Sequence, residues 1–115
     1  MKPEDPVMFS YTVKAWFDDP AVADEWIQWL RSEHISDVID AGALDGTAIL
    51  MDGDDHRSHC QVRYHFESRD SFEQYLREHA ASLREQGLKL FPESRGISYQ
   101  RETGDVRCSF DRSSS

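Results

Sequence analysis

The residues of this chain best suited to chemistry are His34, His65, Arg63, Lys14 and Thr12. His34 closes the phrase Trp29-Leu30-Arg31-Ser32-Glu33-His34, at the expected end of a helix. An imidazole bordering an enclosed polar space can act as general acid or base, and the helix C-terminus and Glu33 would both favour its protonated form. Lys14, Arg63 and His65 fall on one side of two expected strands, with Thr12 beside them. Such a group of cationic or potentially cationic side chains suits a small carboxylate or phosphate. His34 is therefore the candidate catalytic residue, and Thr12, Lys14, Arg63, His65 and Tyr99 are the candidate ligand contacts. Each has a plainer alternative: His34 as a helix cap, and the cations as partners of Glu67, Glu102 or a second subunit. His79, on one helical face with Phe72 and Leu76, is expected to be a hydrogen-bonded core histidine.

Other chemistries lack their residues. The five histidines show no HxH, HxxxH or HxxEH spacing, so no metal site is expected. Asp52-Gly53-Asp54-Asp55 reads as an acidic hairpin turn without the later ligands of an EF-hand. There is no serine elbow, P-loop or dinucleotide fingerprint, and no cofactor is expected. Cys60 and Cys108 have no CxxC spacing, and a disulfide between them is not expected in a reducing compartment. The net charge of −9 disfavours nucleic acid and anionic membrane surfaces as partners. With no long apolar run and no signal-peptide core, a cytoplasmic protein is expected.

The elements that would hold these residues follow from periodicity. At 115 residues the chain is one domain. Residues 1–7 read as a loose arm, 8–103 as the domain and 104–115 as a polar tail. Met8 to Phe17 alternates as a strand, with Phe9, Tyr11, Val13, Ala15 and Phe17 on its apolar side. Asp19-Pro20 starts a helix that runs to about Glu33. A kink at His34 and a fresh start at Ser36-Asp37 are expected, because Ile35 falls on the wrong face of a continuous helix. Gly42 stops this segment. Leu44–Met51 and His59–Glu67 read as a hairpin of two strands. Asp70-x-x-Glu73 is a capping box for a second helix, ended by Gly87. Ile97, Tyr99 and Arg101 belong to a fourth strand.

The phrase around the first helix returns in the second half: Trp26-x-x-Trp29-Leu30-Arg31-Ser32-Glu33-His34 against Phe72-x-x-Tyr75-Leu76-Arg77-Glu78-His79. A duplicated strand-helix unit gives the order β-α-β-β-α-β, an α+β, ferredoxin-like fold with a four-stranded antiparallel sheet. The helices would cover one sheet face. The other carries Ser10, Thr12, Lys14, Trp16, Gln61, Arg63, His65, Ser98 and Gln100. It is too mixed for a core, and is expected to face its twin in a homodimeric α/β barrel with a cavity between the sheets.

The stretch from Trp26 through Trp29, His34, Ile35, Asp37 and Val38, with Tyr75-Leu76-Arg77-Glu78-His79-Ala80 and the strand Tyr11-Thr12-Val13-Lys14, resembles the bacterial family DUF4286 over residues 9–103. Ser36 stands where that family's pattern has proline. The resemblance implies the fold and assembly, not an activity. The wider dimeric α/β-barrel group includes cofactor-free monooxygenases and isomerases, some with a histidine and glycine placed like His34 and Gly42. The expected function is that of a small homodimeric domain with a small-ligand cavity. The alternative is a cofactor-independent isomerase, lyase or monooxygenase acting on a small anionic or aromatic metabolite, with His34 as acid/base.

Overall fold

The computed structural model describes residues 8–52 and 56–112. The tip of the expected acidic turn and the N-terminal arm thus lie outside the described residues. Strand β1 (Phe9–Phe17) lies between β3 (Ser58–Phe66) and β4 (Ile97–Asp105), with β2 (Asp45–Leu50) on the far edge of β3; all pairs are antiparallel. The α+β, ferredoxin-like order expected from the duplication is the observed one. β4 includes Gly104 and Asp105, and the amide of Val106 still donates to the Met8 carbonyl at 2.8 Å. Alternation puts Phe9, Tyr11, Ala15 and Phe17 of β1 and Cys60, Val62, Tyr64 and Phe66 of β3 under the helices, all buried.

The first helical segment is α1 (Pro20–Trp29), a π-helical turn at Leu30–His34, and α2 (Ile35–Asp40). Asp19 Oδ1 accepts from the Ala21 amide at 2.9 Å, and Pro20 holds the first helical position, as the sequence suggests. The expected break at His34 does not occur. Instead the amide of Ile35 donates to the carbonyl of Leu30, five residues back. Such a turn takes in one residue more than an α-turn and shifts the helix phase. That shift is what brings Ile35 inward without a kink: its Cγ2 would lie 2.7 Å from a Cβ placed on Gly46 of β2. Leu30 and Val38 are buried on either side of the turn. Gly42, at φ 130°, then turns the chain into β2.

The second segment repeats the device: α3 (Arg69–Tyr75), a π turn at Leu76–Ala80, and α4 (Ala81–Leu90). Here three expectations are corrected. The N-cap is Ser68, whose Oγ accepts from the Ser71 amide at 3.1 Å, not Asp70 with Glu73. Gly87 does not end the helix but sits within it, because the Trp29 indole packs against it: a Cβ there would lie 3.1 Å from Trp29 Cη2. Leu76 and His79 are exposed rather than core, because the π turn rotates Ala80 and Leu83 inward instead.

The two helical segments lie on one face of the sheet. The core between the layers is largely aromatic: Phe72 sits 4.9 Å from Phe9 and 5.2 Å from Phe66, and Tyr75 sits 5.2 Å from Phe66, ring centre to ring centre. None of the helices among the described residues is long and apolar enough to cross a membrane.

Candidate functional site

The six residues singled out from the sequence divide between the two faces of the sheet. Thr12, Lys14, Arg63 and His65 come together on the open face. With Ser10, Gln61 and Glu102 they line a shallow concavity of about 390 Å3. Thr12 stands directly opposite Arg63 in the β1–β3 register. Most of the charge here is already paired: Lys14 Nζ lies 2.9 Å from Glu102, and His65 Nδ1 lies 3.0 Å from Asp45. The partner of His65 is thus Asp45, a residue the sequence did not suggest. Arg63 donates to Gln61 Oε1 at 3.0 Å. Gln61 donates in turn to His59 Nε2 at 3.1 Å, and His59 Nδ1 donates to the Ala15 carbonyl at 3.0 Å. The carbonyl can only accept, so Nδ1 of His59 carries a proton, and the chain orients the Gln61 carboxamide. Trp16 stacks on the His59 ring at 4.3 Å.

His34 and Tyr99 lie on the other side, under the helices. The expectation that His34 reaches the open face is corrected: the π turn carries its ring inward, where it stacks on Trp29 with ring centres 4.2 Å apart and planes 19° from parallel. Tyr99 follows the parity of Ile97 and also points to the helix side, where its hydroxyl donates to the Phe91 carbonyl at 2.7 Å. Both line a cavity of about 50 Å3 between the sheet and the helices. It is walled by Tyr11, Val62 and Tyr64 from the sheet, and by Trp26, Trp29, Leu30, Tyr75 and Leu83 from the helices. Nothing acidic among the described residues lines it.

Two polar atoms bordering this cavity are buried without a hydrogen-bond partner among the described residues: Nδ1 of His34 and the hydroxyl of Tyr64. A buried polar atom left unpaired costs about 1–3 kcal/mol, so two such atoms beside one cavity mark a place to look for a ligand. Burial also dominates the electrostatics. It pushes His34 down to about 4, against the opposing pull of Asp37. The expected protonated imidazole is therefore corrected to a neutral one at pH 7. The helix does not terminate at His34, so no helix C-terminus lies there to favour the cation. Burial raises the Tyr64 hydroxyl well above its ordinary value, and raises Tyr75 and Tyr99 to about 12. The site is a neutral imidazole among un-ionised phenols, able to hydrogen-bond a ligand hydroxyl or carbonyl and to accept a proton from it.

Sequence reasoning missed Tyr64, Tyr11 and Tyr75, whose parity and helical spacing read as core. It also missed Arg84 and Arg101, which line the cavity at exposed positions. The second copy of the repeated phrase has no counterpart site: both π turns start at the leucine, so Ala80 takes the structural place of His34. No group of three or more potential metal ligands forms among the described residues.

A four-stranded antiparallel sheet covered on one face by two helical segments defines a ferredoxin-like α+β domain. Similar solved structures include a monooxygenase of Streptomyces coelicolor in complex with nanaomycin D, at 14% identity over 93% of this chain and 94% of that one, TM-score 0.68. Two dimeric ferredoxin-like proteins from an uncultured marine organism are also similar. One has 14% identity over 90% and 99% of the two chains, TM-score 0.64; the other has 17% identity over 94% and 95%, TM-score 0.61. These likenesses concern the fold. The chain itself belongs to DUF4286, a domain of unknown function, which matches residues 8–102. No curated protein matches the sequence.

Proposed function

We propose that the chain is one subunit of a homodimer that takes a small aromatic ligand into the cavity between its helices and sheet. The observation that carries this reading is the pair of unpartnered buried atoms, His34 Nδ1 and the Tyr64 hydroxyl, beside a cavity otherwise walled by rings and aliphatic side chains. A ligand hydroxyl or carbonyl can satisfy both, and the surrounding rings favour a flat, apolar body. As it stands the cavity has room for roughly three or four waters, so a ring-sized ligand must displace side chains at its exposed end. Leu88, exposed and part of the lining, is the apolar side chain placed at that end.

Pairing through the open sheet face is supported by the dimeric ferredoxin-like proteins of similar fold. It is also supported by the face itself, which carries both signs of charge and half-buried Trp16. The Arg63–Thr12 concavity then lies between the subunits, where a small anion would be a second ligand, as the sequence suggested. A cytoplasmic setting fits two cysteines that are both free.

Heat unfolding with and without phenol tests the cavity. The wild type gains thermal stability with phenol, whereas Tyr64→Phe and His34→Leu gain little. Equal gains in all three would contradict the reading.

The placement of His34 in the cavity lining favours a second reading, a cofactor-independent isomerase, although burial makes the imidazole a weaker base. A neutral imidazole can take a proton from a carbon beside a ligand carbonyl and return it elsewhere, with no further reactant. Exchange of the methyl hydrogens of acetophenone with D2O, faster with wild type than with His34→Leu, is the expected sign. Equal rates would exclude it.

A further inference from the structure

The cavity is not electrically uniform along its length, and the difference says something about what enters it. Its inner lining is buried: Tyr11, Trp26, Leu30, Val62, Tyr64 and Tyr75. Its exposed lining residues are Arg84 and Leu88 of α4 and Arg101 of β4, which therefore mark the mouth. Two of these three are arginines, and among the described residues no acidic side chain lines the cavity. In a chain with a net charge of −9, carboxylates are the commonest charged groups available as partners. Even so, neither Arg84 nor Arg101 makes an ion pair among the described residues.

Arg101 is nevertheless held in place. Its guanidinium sits 5.9 Å from the centre of the Tyr99 ring, and its Nε donates to the Tyr11 hydroxyl at 3.2 Å. Among the described residues both terminal nitrogens are then without a hydrogen-bond partner, in a planar fork suited to an oxyanion. Arg84 approaches from the helix side, and both arginines line the same cavity from exposed positions. They thus flank one opening. Thr103 and Glu102, which follow Arg101, are not part of the lining.

Resting on the cavity reading above, we infer that the ligand is an aromatic carboxylate, lying with its ring inward and its carboxylate at the mouth between Arg84 and Arg101. A hydroxyl or carbonyl at the far end of the ring would meet His34 and Tyr64. An oxyanion carried on an apolar body matches the lining: cationic side chains at its exposed positions, aromatic walls, and the neutral hydrogen-bonding groups of His34 and Tyr64. A phosphate offers the same charge, so the source of the oxyanion is part of the test.

Trp26 and Trp29 line the cavity, whereas Trp16 lies on the opposite sheet face, so tryptophan fluorescence reports binding. The full chain is titrated with 4-hydroxybenzoate, phenol, phenyl phosphate and inorganic phosphate. The inference expects 4-hydroxybenzoate to bind at least tenfold more tightly than phenol. It also expects Arg84→Gln and Arg101→Gln to remove most of that preference while leaving phenol affinity within about twofold. Both arginines are exposed, but Arg101→Gln also removes the donor to the Tyr11 hydroxyl, so the single variant Arg84→Gln carries the comparison and retained phenol binding verifies that the cavity is intact in each. Phenol binding with no preference for the carboxylate, or a preference that survives both substitutions, overturns the inference and spares the cavity reading. Tighter binding of phenyl phosphate than of 4-hydroxybenzoate overturns the carboxylate assignment. A comparable response to inorganic phosphate alone overturns it too, by showing a site that reads charge without the ring. Absence of binding by both phenol and 4-hydroxybenzoate overturns both readings.

Discussion

The Trp29 indole lies flat against the His34 imidazole, ring centres 4.2 Å apart, and its far edge fills the space that a side chain at Gly87 would need. One tryptophan thus connects the π turn of the first helical segment, the catalytic candidate and the interior of the second segment. The stack contributes to the burial that pushes the imidazole down to about 4.

Gly87 is the simplest test of that connection. In an exposed helix interior, Gly→Ala stabilises by about 1 kcal/mol. Here the added methyl meets Trp29 at 3.1 Å, and Trp29 is also hemmed in by Phe91 at 5.4 Å. Gly87→Ala is expected to forfeit that gain, and Gly87→Val to destabilise by about 1–3 kcal/mol through overpacking. Urea unfolding of both variants measures it. A full 1 kcal/mol gain for alanine would show that the indole moves freely.

Tyr64 sets stability against binding. Its hydroxyl is buried with no partner among the described residues, so Tyr64→Phe removes a largely desolvated group at almost constant volume. The variant is expected to be more stable than wild type by about 1 kcal/mol, with weaker affinity for phenol. Unfolding in urea and a phenol titration check the two halves separately. A less stable variant would mean that the hydroxyl has a partner in solution.

The pH dependence follows from His34. Its folded value of about 4 lies below the ordinary 6.5. Between these values the unfolded chain binds a proton that the folded chain does not. The stability contribution of this residue is therefore complete above about pH 6.5 and is lost as pH falls towards 4. His34→Leu is expected to flatten the stability profile in that window. An unchanged slope would place the titration elsewhere.

The sheet face tests assembly. Gln61 is buried there between His59 and Arg63. Gln61→Glu adds a negative charge that a paired face would have to desolvate. Sedimentation equilibrium is expected to give twice the 13.3 kDa subunit mass for wild type and a weakened dimer for the variant. A wild type that stays monomeric at high concentration would contradict pairing.

The strands were legible because alternation in Phe9–Phe17 and Ser58–Phe66 leaves one reading of the buried side. The repeated phrase made the order of elements legible as well. The π turns were not, since a hydrogen bond shifted by one residue has no residue signature of its own. The only trace was Ile35 falling out of phase, which reads equally well as a break. Gly87 misled because glycine stops helices and also admits neighbours, and only the position of Trp29 decides which. The site was half legible. His34 and Tyr99 were singled out, but alternation does not say which face of a sheet encloses a cavity. Tyr64 was hidden because a phenol on a buried parity reads as packing.

The account rests on the helix-side cavity, with His34 in its lining, as the place where a ligand binds. Nitrogen-15 NMR of the histidine rings during a 4-hydroxybenzoate titration addresses it directly. The account predicts that the His34 Nδ1 resonance moves saturably while the ring of His65, on the open face, stays still. Movement of His65 with His34 unchanged would put the ligand on the other side of the sheet and contradict it.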